Sequence, residues 1–83
     1  KVAARRNKLL GLWAAEKMGM ADAEASDYAT SVVKADFEEA GDADVIRKVI
    51  SDLSENNISV DENTIKAEID RLNDLAASQL KQE

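Results

Sequence analysis

Large apolar residues recur along this chain at intervals of three and four, the spacing at which a helix returns to the same face. The cleanest run is Ile46, Val49, Ile50 and Leu53, which is i, i+3, i+4, i+7 without a gap. Upstream, Ala25, Tyr28, Ala29, Val32, Val33 and Phe37 keep the same rhythm. Downstream, Ile65, Ile69, Leu72, Ala76 and Leu80 sustain it for longer. Near the N-terminus Val2, Leu9, Leu12, Trp13 and Met20 line one side, and Leu10 widens that stripe.

Three joints separate these runs. Gly19 is followed by Asp22: glycine enters the left-handed conformation that closes a helix, and the aspartate accepts from free N–H groups opening the next. Gly41-Asp42 repeats the logic in two residues. At the third joint Asn57 replaces glycine as the left-handed stop and Asp61 is the N-cap, with Val60 and Ile65 spaced as a hydrophobic staple. Helices are therefore expected near 2–18, 23–40, 43–56 and 62–81. Pairs at Asp44–Lys48 and Glu62–Lys66 have the i, i+4 spacing that supports a helix. Short joints make neighbouring helices antiparallel, so the expected fold is an all-α, single-domain four-helix bundle spanning residues 1–83.

Composition strengthens this reading. Proline is absent and glycine occurs three times, which favours helix over sheet. Charged residues reach 34%, above the roughly 25% of an average domain, which raises disorder as a rival. The regular apolar spacing in every segment argues against it.

The net charge of −6 is unevenly placed. Residues 1–20 hold Lys1, Arg5, Arg6, Lys8 and Lys17 against Glu16 alone, whereas the remainder is strongly acidic. Such segregation suits either an electrostatically guided protein partner or simply a basic first helix folded against acidic ones. It does not suit nucleic acid, because most of the surface would repel phosphates. No apolar run approaches the roughly 18–20 residues that cross a bilayer, and no signal peptide is visible, so a cytoplasmic protein, monomeric when free, is expected.

The chemistry of catalysis is missing. With no histidine and no cysteine, Ser-His-Asp and Cys-His arrangements and the usual zinc sites are excluded. Gly-rich phosphate loops are absent too. A calcium loop beginning at Asp36 fails, since Ala40 and Arg47 fall where oxygen ligands belong. No cofactor is expected, and Glu38 and Glu39, unfavourable at a helix C-terminus, read as a solvated face or a surface for a cationic partner. A protein that works by binding another protein is the reading left.

The first helix carries the candidate site. Lys1, Arg5 and Lys8 follow i, i+4, i+7 and form a basic ridge beside the apolar stripe, with Arg6 toward the other side. Cations oppose the macrodipole at a helix N-terminus, an arrangement that would be relieved if the helix began upstream of Lys1. Trp13 reads either as a core residue packing the helix onto the bundle or as a partly exposed interface anchor.

The run Ala4-Arg5-Arg6-Asn7-Lys8-Leu9-Leu10-Gly11-Leu12-Trp13-Ala14-Ala15-Glu16-Lys17 resembles a stretch of the alphaproteobacterial zeta proteins, inhibitors of the F-type ATP synthase. Val32-Val33-Lys34-Ala35-Asp36-Phe37-Glu38-Glu39-Ala40-Gly41-Asp42 resembles a second stretch of the same family, and the fourth helix matches more loosely. The resemblance implies a four-helix regulatory subunit that binds the F1 catalytic subunits near the central shaft and restrains ATP hydrolysis, peripheral on the membrane-bound synthase. It also implies that the family's inhibitory N-terminal segment stands upstream of this chain, with the bundle as a docking body. From the residues alone, a helical adaptor or small-ligand-binding bundle with an unrelated partner remains the alternative.

Overall fold

The computed structural model describes residues 2–35 and 43–82. They form α1 (Val2–Lys17), α2 (Asp22–Ala35), α3 (Ala43–Glu55) and α4 (Glu62–Gln82), with no strand among the described residues. The expected Gly41-Asp42 joint, Phe37 and the Asp36–Ala40 end of the second helix lie outside the described residues, as do Lys1, Glu38 and Glu39.

Two helix ends are closed by the same device. At α1, Gly19 adopts φ 76°; Met20 N–H donates to Ala15 O at 2.9 Å and Gly19 N–H to Glu16 O at 3.1 Å. At α3, Asn57 adopts φ 63°, with Ile58 N–H donating to Leu53 O at 2.9 Å and Asn57 N–H to Ser54 O at 3.0 Å. Each pair of bonds satisfies carbonyls that the helix leaves open. Ile58 then turns onto the core, so the stop also fixes where the chain goes next.

Asp61 caps α4 as its sequence position requires. Its Oδ1 accepts from Thr64 N–H and from the Thr64 hydroxyl, both at 2.8 Å. Val60 packs on the core and Ile65 is fully buried, consistent with the staple. Asp22 differs from expectation. Ala25 N–H bonds to Ala21 O, which makes Ala21 the capping position and puts Asp22 inside the first turn, where its charge complements the macrodipole.

The bundle is organised around α1, which packs along α2 and α4 and also touches α3, while α2 and α4 do not meet among the described residues. Leu53, Val45 and Val49 of α3, Ile65 and Leu72 of α4, and Val32 of α2 are buried with Leu10 and Ala14 of α1. The stripes read for α2, α3 and α4 thus supply the interior, with Val45 added and Ile50 and Leu80 only half-buried.

α1 departs from its expected face. Its buried residues are Arg6, Asn7, Leu10, Gly11, Ala14 and Ala15. Of the stripe read from sequence, Leu9 and Trp13 sit at the core's edge, Leu12 is half-buried and Val2 is exposed. The reason is distance between helix axes. A Cβ on Gly11 would stand 2.6 Å from the Ala29 Cα, so α1 and α2 approach more closely than large side chains permit, and the small face turns inward.

Charged pairing also shifts. Lys66 meets Glu62 at 3.5 Å as expected, but Lys48 reaches Asp52 at 3.1 Å instead of Asp44, which pairs with Arg47. Asp52 is already held by the Tyr28 hydroxyl, which donates to it at 2.7 Å and ties α2 to α3. Burial, then the bond to Asp52 and its charge, push the Tyr28 phenol far above its ordinary range. Lys48 also lies 5.3 Å from the Tyr28 ring centroid, so cation, ring and carboxylate hold one another in place.

Candidate interaction surface

α1 is the cationic helix of the bundle, with Arg5, Arg6, Lys8 and Lys17 against Glu16, and the structure sorts these charges by face. Arg5 is half-buried and donates through Nη1 to Gln79 Oε1 at 3.1 Å, which joins the start of α1 to the end of α4. Lys8, three residues on, is exposed on the same outer side. These two carry the described part of the expected ridge; Lys1 lies outside the described residues.

Arg6 is turned inward. It is buried, and its Nε and Nη2 donate to Asn7 Oδ1 at 3.1 and 2.9 Å. Asn7 is itself fully buried, and its Nδ2 finds no partner. The bonds from Arg6 occupy Oδ1 and leave the two donors on Nδ2 buried without an acceptor. An unsatisfied buried donor costs about 1–3 kcal/mol. The α1 contribution to the core is therefore partly polar, and Arg6 lies inward against Asn7.

Trp13 lies between its two readings. It packs against the core but is half-exposed, and Lys17 Nζ stands 5.0 Å from its ring centroid. An indole that packs on the core beside a cation and stays half-exposed retains apolar surface at the bundle's edge. Leu9 and Leu12 continue that surface along α1.

The depression between α3 and α4 is of a different character. It is open, about 420 Å³ in volume, with Ile46 and Ile69 as its floor and Glu62, Lys66 and Asp70 around it. Its charges are mixed in sign and it lies away from α1. Among the described residues no group of three metal-ligating side chains occurs, and no helix is long and apolar enough to cross a membrane.

Asn7 and Gly11 are the buried α1 residues beneath this surface that apolar periodicity misses, because neither is a large hydrophobe. A glycine inside a helical run does signal close backbone approach, so Gly11 carried a readable clue. Asn7 carried none beyond its place between Arg6 and Leu10.

The family model for ATPase inhibitor subunit zeta matches residues 1–79. A protein whose structure was determined in solution by NMR is 48% identical, with the match covering 98% of this chain and 92% of that one at a TM-score of 0.86. No curated protein matches the chain.

Proposed function

The chain belongs to the ATPase inhibitor subunit zeta family, and we propose that it binds the F1 sector of the F-type ATP synthase and restrains ATP hydrolysis as a regulatory subunit. The family match across residues 1–79 carries this reading. The cationic α1 on an otherwise acidic bundle supports it, since F1 would be met through one helix and not through the whole surface.

The proposed mechanism uses no chemistry of the inhibitor's own. F1 cycles through several conformations, and a protein that binds one of them more tightly than the others holds the enzyme there. Inhibition then equals differential affinity, and every tenfold preference for one conformation corresponds to about 1.4 kcal/mol. Arg5 and Lys8 face acidic groups on F1, and Lys1 adds a further positive charge; Trp13 gives an apolar contact beside Arg5 and Lys8, and Arg6 keeps α1 in position. The protein acts from the cytoplasmic side, peripheral on the membrane-bound enzyme.

Co-elution with purified F1 tests the reading. The natural protein should emerge with F1 at low salt, and reversing the charge of Arg5 and Lys8 together should weaken the complex, more so at low salt than at high. If the natural protein and F1 emerge separately at every ionic strength, the partner is wrong.

A further inference from the structure

Helix α1 has two apolar faces, and the bundle uses one. The face that carries Leu10, Gly11 and Ala14 is buried against α2 and the core. The face with the larger side chains stays half-exposed, although it is the one periodicity would assign to the interior. Burying a leucine is worth about 1.5–3 kcal/mol, so this half-exposed leucine face leaves apolar surface that a partner could cover.

That face does not end at α1. Arg5 bonds to Gln79, and α4 runs antiparallel to α1. One turn further along both helices, Leu9 and Leu75 follow on the same side, and Leu75 is 39% exposed. Leu12 and Trp13 extend the strip by another turn. The result is an apolar seam shared by two helices, with Lys8 exposed on one edge and Lys17 over the indole on the other.

We propose that this α1/α4 seam, built on Leu9, Leu12, Trp13 and Leu75, is the surface by which the bundle docks on its partner protein, and that its occupant is an apolar helix flanked by carboxylates. The inference rests on the proposed function for the identity of the partner and adds where the bundle meets it. Charge selects the occupant. Lys8 and Lys17 flank the α1 part of the strip, so a helix with carboxylates on the side facing α1 gains there. Glu16 closes the far end of the strip, and on α4 the Glu68–Arg71 pair lies beside it.

A second copy of this chain is the rival occupant, since Asp22, Glu24 and Asp27 lie exposed on α2. Sedimentation equilibrium of the chain alone separates the two: a monomer is expected, and a dimer abolished by L12Q/L75Q would overturn the partner reading.

The main test compares the natural protein with its L12Q/L75Q variant in binding purified F1, with S51Q on the exposed side of α3 as the control. Circular dichroism checks that all three melt alike. The double variant should bind about tenfold more weakly or worse, while S51Q binds as wild type does. Equal binding by wild type and L12Q/L75Q would overturn the seam while leaving the proposed function standing. If wild type fails to bind, the proposed function falls, and the occupant named here falls with it. Amide exchange in the complex gives a second readout: residues 9–13 and 72–79 should gain protection, and protection confined to α2 and α3 would contradict the assignment.

Discussion

Alanine at Gly11 places a methyl group 2.6 Å from the Ala29 Cα, 3.1 Å from its Cβ and 3.2 Å from a Val32 methyl. The first of these is backbone and no rotamer change can move it, so α1 and α2 must separate. Two terms oppose each other. Alanine is the better helix former by about 0.8–1.0 kcal/mol, while forced overpacking costs about 1–3 kcal/mol. The net effect of Gly11→Ala is a loss of roughly 1 kcal/mol, or about 4–8 °C in Tm for a domain of this size. Gly11→Val adds two more carbons and forfeits most of the propensity gain, so its loss should reach about 2–3 kcal/mol. Urea unfolding followed by far-UV circular dichroism measures both. Adding Ala29→Gly to Gly11→Ala should not restore stability, because it removes the 3.1 Å contact and leaves the 2.6 Å one. Gly19→Ala is the contrast: nothing lies within 4 Å of its Cβ, and its cost arises from φ 76° alone. A Gly11→Val protein as stable as wild type would refute the close crossing, and with it the account of why α1 turns its small face inward.

Other expectations follow from the caps, the core and the single tyrosine. Asp61→Ala should lower Tm at neutral pH. The bonds from Thr64 hold the Asp61 carboxyl below its ordinary range, so its stabilisation is present above that range and lost as pH falls through the folded value. The melting difference between the two proteins should therefore close in acid, and a gap that persists at the lowest pH would contradict the cap. Asn57→Gly should be neutral or slightly stabilising because glycine reaches φ 63° without strain; clear destabilisation would give the side chain another role. Ile69→Ala should cost about 2–5 kcal/mol, and Ile50→Ala distinctly less, since Ile50 is half-buried; equal losses in urea melts would misplace the interior. Tyr28 is the one tyrosine, so phenolate absorbance reads it alone. It should stay protonated in the folded chain above pH ~10, and stability should fall as pH rises past that point because the unfolded chain releases the proton first. Titration near the ordinary tyrosine value with the fold intact would contradict both the burial of the phenol and its bond to Asp52.

The joints were readable because their chemistry is local. A left-handed stop needs glycine or asparagine, and an N-cap needs an acceptor, so Gly19, Asn57 and Asp61 announce themselves wherever the rest of the chain goes. Asp22 was off by one residue for the same reason: an aspartate serves at the cap or in the first turn, and Ala21 took the cap. The stripes of α2, α3 and α4 were legible because each has one apolar side. α1 has two, and large side chains drew attention to the wrong one. What decides between them is the closeness of α1 to α2, set by Gly11 meeting Ala29, a pair eighteen residues apart in sequence. Arg6 illustrates the same limit, since an arginine in a basic run looks exposed until a neighbouring asparagine and the packing of α1 draw it inward. The basic ridge itself was visible as spacing, but its place beside a half-exposed leucine seam required knowing which face the bundle leaves open.

Steady-state ATP hydrolysis by isolated F1, titrated with the natural protein, tests the central claim most directly. The account predicts a saturable fall in turnover as the protein is added, with the curve displaced to higher concentration when Arg5 and Lys8 are reversed in charge. Hydrolysis that remains at its starting rate through a large excess of the natural protein would contradict it.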